Sequence, residues 1–253
     1  MQFWRPILAA ALLAAITTSI SPCSALAESA DDPILSPYWH DDVIRWEPIV
    51  THYAQERNLD PDLIAAVIWK ESLGRSWEYS VVGAVGLMGL MPFDWRPSAE
   101  ELENPWTNVS WGARALAHTI QAGKGDLFYS LAAYNGGWGQ IHLRVTRRYA
   151  TEVLGDYVRA VAVRNELPAD GEWVAILAVE GSSGPQTITV IGPQRPLARY
   201  TERPCVQPGI PAVPPDAPPQ ATAITFVDER GVECRVNLWL VTKDGSPIPA
   251  AQP

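Results

Sequence analysis

The spacing of apolar residues changes twice along the chain, and the changes divide it. Residues 7–20 form an apolar run with no charge inside it. From about residue 46 the apolar positions recur at helical intervals. One helix is predicted to start near Pro48, since proline is tolerated in a first helical turn. Ile49, Val50, Tyr53, Ala54 and Arg57 fall on one of its faces, and Asn58 stops it. A second helix opens with Asp60 as N-cap, Pro61 in the first position and Asp62 at the positive end of the dipole. Residues 63–69 are apolar all round, which predicts a helix buried on most sides. Later helices show a single stripe. Gly112, Ala115, Leu116, Thr119 and Ile120 make one. Leu127, Phe128, Leu131 and Tyr134 make another, capped by Asp126 and broken at Gly136 and Gly137. A third starts at Thr151, with Val153, Leu154, Tyr157, Val158 and Val161 on its face.

After about residue 168 the period becomes that of strands. "EWVAILAVEG" and "QTITVIG" read as two strands joined by a glycine- and serine-containing turn at 181–184. Residues 203–221 are proline-rich and exclude regular helix or central strand. "AITFVDERGVECRVNLWLV" reads as two more strands around a turn at 228–231. The predicted fold class is α+β: a mainly α domain over 46–165, then a small β-rich module over 166–253 with its proline-rich loop. Residues 28–45 are a polar, proline-punctuated lead-in.

Charge and cysteine content narrow the setting. Arg5, the apolar run and the Ala25-Leu26-Ala27 sequence have the order of a secretory signal, so residues 1–27 are expected to be removed. The apolar run is short for a membrane span, and no other run is long enough for one. A lipoprotein reading through Cys23 is disfavoured by Pro22 just before it. The expected location is therefore the cell envelope or the exterior. Cleavage leaves Cys205 and Cys234, an even pair that favours a disulfide in an exported chain. The net charge is −9 without a basic run, which argues against nucleic acid as a partner. No metal-ligand spacing and no cofactor motif stands out, so neither is expected.

Ile64, Val67, Ile68 and Glu71 are spaced by three, four and seven and share a helix face. Glu71 thus projects from the apolar side near the helix end. Poor solvation should raise its pKa, and a protonated glutamic acid can act as a general acid. Pairing with Lys70 or Arg75, or exposure at a fraying end, would explain the same pattern equally well. The loop that follows has glycine at 83, 86 and 89 and soft walls at Leu87, Met88, Leu90 and Met91. Such a backbone can approach a ligand closely, or can simply pack tightly.

Three blocks in order, "ES" with "YSVVGAVGLMGLMP", then "NVSWGARAL", then "LAAYNGGWGQI", resemble the soluble lytic transglycosylases and their goose-type lysozyme relatives. The resemblance covers roughly residues 46–162. It implies a lysozyme-like helical fold with a cleft for peptidoglycan strands, and Glu71 as the catalytic acid. It further implies substrate-binding roles for Ser80 and Met91, and a tyrosine beside the acid in the Tyr134-Asn135 motif. Gly89 stands where the family usually has a glutamine that binds sugar. Either the subsite is weakened or another residue replaces that amide; if it is weakened, Gly89→Gln is expected to strengthen glycan binding. Trp138 also departs from the family pattern and offers a stacking surface. Of Trp69, Trp77, Trp95, Trp106, Trp111 and Trp138, most are expected in the core and one or two in the cleft.

Most glycosidases need two carboxylates flanking the bond. Glu78 and Asp94 fall in predicted loop and are read as solvated surface. The family mechanism needs only one carboxyl: Glu71 protonates the leaving oxygen, then takes a proton from the muramic sugar's own primary hydroxyl, giving a 1,6-anhydro product. Two other classes stay open, a hydrolytic lysozyme or chitosanase-type glycosidase and a non-catalytic glycan-binding protein. The β module either contacts wall polymer or an envelope protein, or braces the domain.

Overall fold

The computed structural model describes residues 34–181, 187–193, 195–201 and 217–248. The signal reading over 1–27, Cys205 and most of the proline-rich stretch lie outside the described residues. Within them, seven α-helices precede five strands: α1 Asp41–Ile44, α2 Glu47–Arg57, α3 Pro61–Ser72, α4 Ala99–Leu102, α5 Pro105–Ala122, α6 Leu127–Gly136 and α7 Arg144–Arg164, then β1 Trp173–Glu180, β2 Thr187–Gly192, β3 Arg195–Thr201, β4 Ala221–Val227 and β5 Glu233–Thr242. The α+β class is as predicted. None of the described helices is long and apolar enough to cross a membrane.

The helix boundaries follow local chemistry. Asn58 ends α2 in the left-handed conformation, at φ 53°. The Asp60 side chain accepts from Asp62 N at the start of α3. From Leu63 to Ile68 every side chain of α3 is buried, so this helix is the central rod. Asp126 caps α6 by accepting from Tyr129 N. The last helix was placed too late in the sequence: α7 starts at Arg144, not Thr151. Its first turns carry Arg147 and Arg148, whose polarity hides the apolar face that Tyr149 and Ala150 already belong to.

The lead-in also differs from expectation. Leu35, Trp39 and Val43 are buried in the core. They are held there by a polar knot at the base of α3. Asp62 Oδ1 accepts from Ser36 N at 2.9 Å and from Trp39 Nε1 at 2.8 Å. Arg164, at the end of α7, reaches Asp62 Oδ2 and Asp60 Oδ2, each at 2.8 Å. Burial pushes the Asp62 carboxyl up to about 6, against the pull of Arg164. Asp62 is thus a structural hub rather than a simple dipole complement.

The five strands form one antiparallel sheet in the order β3-β2-β1-β5-β4. The strand β3 was not predicted. Both faces of β1 are covered. Trp173, Ala175, Leu177 and Val179 join the helical core, while Val174, Ile176 and Ala178 pack with Val190, Trp239 and Val241. The helices and the inner face of the sheet therefore share one core. Backbone bonds tie them further: Asp60 N donates to Ala223 O at 2.9 Å and Thr225 N to Asn58 O at 3.0 Å. The β4–β5 turn is an Asp-led turn, with Asp228 Oδ1 accepting from Arg230 N and Val232 N. Cys234 lies on the helix side of β5 and is buried, with no disulfide partner among the described residues; the expected Cys205–Cys234 pairing lies outside them.

Candidate active site

Glu71 sits in the last turn of α3, which ends when Leu73 turns left-handed at φ 53°. The buried apolar rod before it leaves the carboxyl at the mouth of the core, half-buried. Tyr149 OH, from α7, donates to Glu71 Oε1 at 2.7 Å. Burial raises the Glu71 carboxyl from 4.5 to about 7, although the Tyr149 hydrogen bond and the Lys70 charge both pull it down. Lys70 cannot neutralise it fully, because its ammonium pairs with Glu152, which Arg148 also holds at 2.7 Å. Glu71 raises the pKa of both Tyr134 and Tyr149, which burial has already raised, so both phenols stay neutral donors. Among the described residues, burial, Tyr149 and Lys70 are what shift Glu71, and none of these is a carboxylate.

The glycine-rich loop over 83–91 is fixed against this carboxyl by residues from all three blocks. Ser72 Oγ, next to Glu71, donates to Leu87 O at 3.0 Å. Asn108, fully buried on α5, accepts from Met88 N at 2.8 Å and donates to Val85 O at 2.9 Å and Leu102 O at 2.8 Å. Tyr134 OH, on α6, donates to Met88 O at 2.9 Å. Small residues make the approach possible. A Cβ at Gly86 would fall 2.2 Å from Asn108 Nδ2, and one at Gly112 would fall 2.3 Å from Met88 Sδ.

Gly89 corrects the sequence expectation. Its φ is +60°, and a Cβ there would lie 2.3 Å from Glu71 Oε2 and 2.7 Å from Cδ. The carboxyl occupies the space a side chain at 89 would need. Glycine is therefore part of how Glu71 is seated, and Gly89→Gln is expected to displace the acid rather than restore a subsite.

The predicted site residues separate into two groups. Glu71 and Tyr134 are brought together around the loop. Met91 is half-buried at the loop's end. Ser80 is exposed, and its hydroxyl accepts from Ala84 N at 2.9 Å in its own turn. Asn135 is exposed at the end of α6, and Trp138 is exposed in the 3-10 turn Trp138–Gln140, with its ring edge against Gly123. Glu78 pairs with Arg75 at 3.1 Å, and Asp94 is exposed. The tryptophans are more exposed than expected: Trp77, Trp95, Trp106 and Trp138 all show 42% or more of their surface. Three working residues were missed. Tyr149 was hidden by the misplaced start of α7, though it stands four residues before Val153 on the same face. Ser72 and Asn108 sat inside quoted blocks, but their partners are distant in sequence.

Parts of the chain are similar to known proteins. The Transglycosylase SLT domain family matches residues 48–153. A transglycosylase of Enterobacteria phage PRD1 is 37% identical over 111 residues, covering 43% of this chain and 41% of its own. An endo-type membrane-bound lytic murein transglycosylase A of Klebsiella pneumoniae is 37% identical over 99 residues, covering 32% of this chain and 49% of its own. The corresponding protein of Citrobacter koseri is 31% identical over 159 residues, covering 53% of this chain and 74% of its own. An inactive mutant of the lytic transglycosylase Slt from Pseudomonas aeruginosa superposes with a TM-score of 0.43 at 25% identity, over 52% of this chain and 27% of that one. The chain thus spans less than half of the phage and Klebsiella relatives, but about three quarters of the Citrobacter one. With the Glu71 motif, the braced loop and the Tyr134 motif in the family's order, the chain belongs to the transglycosylase SLT family.

Proposed function

We propose that the chain is a lytic murein transglycosylase that uses Glu71 as its one general acid and base. The observation that carries this reading is the state of Glu71, half-buried, with its carboxyl raised to about 7 and held by Tyr149. A carboxyl titrating near neutral pH can both give and take a proton in one cycle. Glu71 O–H protonates the oxygen that links the muramic C1 to the next sugar's C4, and the C1–O bond breaks. The resulting carboxylate takes the proton of the muramic C6 hydroxyl, whose oxygen closes on C1. Glu71 ends protonated as it began, and no water enters. Tyr149 and Tyr134 keep the carboxyl and the loop in place as neutral donors. The murein substrate is taken from the relatives, which are named as murein transglycosylases. Residues 1–27 support export, so the envelope or exterior is the proposed site of action. Ser80, Met91, Asn135 and Trp138 are proposed to contact the glycan.

The test is digestion of purified peptidoglycan by the wild type and by Glu71→Gln, with products read by mass. Wild type should release 1,6-anhydromuramyl fragments, one water lighter than reducing-end fragments. Glu71→Gln should be inactive by at least about 10²–10⁴-fold. Reducing-end products would make the chain a hydrolase. Full activity of the variant would remove Glu71 from the site.

A further inference from the structure

The chain that leaves Met91 runs along a cavity of about 590 Å³ bounded by α2, this segment and α5. Arg57, Trp95, Arg96, Trp111, Arg114 and His118 line it. Two of its guanidinium groups lie on aromatic rings. Arg96 is 4.6 Å from the Trp95 ring centroid and 5.4 Å from that of Phe93. Arg114 is 5.2 Å from that of Trp111. Neither arginine forms an ion pair with an acid among the described residues. Arg57 meets Glu56 through Nη2 at 2.7 Å, yet its Nε is buried without a hydrogen-bond partner. The same is true of Arg96 Nε.

These features are unusual in a chain of net charge −9. The guanidinium charges of Arg96 and Arg114 meet no acid among the described residues, so an acidic group from outside the chain is the partner this cavity favours. A guanidinium laid on an indole is already ordered, and its planar fork matches a carboxylate in two hydrogen bonds. The cavity is also far larger than one ion, and falls in the range of sites that enclose organic groups. It adjoins the candidate active site along the chain, since Arg96 stands five residues after Met91 at the end of the braced loop.

We propose that this cavity binds a carboxylate of the peptide carried by the muramic sugar, so that peptide-bearing glycan is held in preference to glycan whose acids are masked. The sugars themselves are uncharged, and in intact strands the free acids are on the peptide. The proposal rests on the reading of the chain as a peptidoglycan-cleaving enzyme. Aromatic walls at Trp95 and Trp111 suit the peptide's apolar side chains, and the arginines hold its acid. A phosphate group would use the same donors, so the experiment must separate the two.

The experiment uses the full chain carrying Glu71→Gln, which should bind without cutting. Its affinity is measured by co-sedimentation with purified sacculi, either native or with peptide acids converted to methylamides by carbodiimide coupling. Masking should weaken binding about tenfold, the size of one charge-assisted hydrogen bond. Adding Arg114→Gln should weaken binding to native sacculi by a similar factor and make it indifferent to masking. Arg114→Lys should fall between, since it keeps charge but not the fork. Arg114 is solvent-exposed on α5, so these changes should leave the fold intact, which circular dichroism checks. Equal binding to native and masked sacculi would overturn the proposal. So would an Arg114→Gln penalty of the same size on both. Inorganic phosphate is titrated as a separate probe, and tight phosphate binding without any masking effect would assign the cavity to phosphate instead. Wild-type cleavage of native sacculi is scored in parallel. Its absence would refute the lytic reading, whereas cleavage with no masking effect would refute only the cavity.

Discussion

Replacing Gly89 by alanine tests the seat of the acid with a single methyl group. Two effects are expected, and the structure separates them. The first is backbone strain. At φ +60° an L-residue costs about 1 kcal/mol. The second is collision, since the new Cβ would lie 2.3 Å from Glu71 Oε2, 2.7 Å from Cδ and 3.1 Å from Cγ. The last two atoms are not the free tip of the chain, so rotation of the carboxylate alone cannot clear the contact. Glu71 must swing away, and its 2.7 Å bond from Tyr149 is stretched or lost. A hydrogen bond to an ionisable group is worth about 1.5–3 kcal/mol, so the total loss should be about 3 kcal/mol. For a chain of this size that lowers the melting temperature by roughly 6–12 °C. A displacement near 1 Å at a reacting group costs about 10²-fold in rate, so kcat should fall by about that much. Gly83→Ala is the control. Gly83 has φ +88°, but nothing lies within 4 Å of its added Cβ. It carries strain without collision, and should lower the melting temperature by only a few degrees. Peptidoglycan turnover and thermal melts of both variants decide the matter. If Gly89→Ala melts and turns over like Gly83→Ala, Glu71 is not seated where the structure has it.

Glu71→Gln should be more stable than wild type at high pH. Folding raises this carboxyl from 4.5 to about 7, so its stabilising contribution is full below pH 4.5 and is lost as pH rises through 7. At pH 8 the variant should gain up to about 3 kcal/mol, measured by urea denaturation, and a curve unchanged between pH 4 and 8 would refute it. Wild-type activity should fall over the same upper limb if, as proposed, the protonated acid starts the cycle. Tyr149→Phe removes a hydrogen bond that lowers the Glu71 pKa, so the upper limb of the pH–rate profile should move to higher pH while kcat drops; an unmoved limb would deny Tyr149 its contact. Asn108→Ala strips three hydrogen bonds from a fully buried group and frees the loop. It should cost about 3 kcal/mol or more in melts, with loss of turnover, and a stable, active variant would show the loop is held otherwise.

The parts that were legible in the sequence are those whose signals are local. Asp60, Pro61 and the unbroken apolar stretch announce α3, and helical spacing puts Glu71 on its apolar face, while only the family resemblance singles it out as the acid. Glycines at 86 and 89 signal a close backbone approach, and the close approach is there. What spacing cannot express is the identity of the partner. The sequence places glycine at 89 without saying that the neighbour is the acid itself. Asp62 looks like an ordinary first-turn acid until Trp39 and Arg164 arrive from both ends of the helical region. Burial of the segment around Leu35 depends on those same long-range polar partners, so its composition reads as linker. Tyr149 was obscured because arginines at 147 and 148 interrupt the pattern just before it.

The backbone bonds between β4 and the residues preceding α3 bear on the order of assembly. Leu59 bridges to Ile224, and Asp60, the cap of the helix that carries the acid, donates to Ala223. During synthesis the helical residues emerge long before β4 and β5 exist. Contacts so distant along the chain form late and slow folding. The inner face of the sheet then covers a core that the helices alone leave open. A ribosome-bound or prematurely terminated chain therefore lacks the strand that fixes the root of α3. On the proposed function, a chain stopped before β4 should hold the root of α3, and with it Glu71, less firmly.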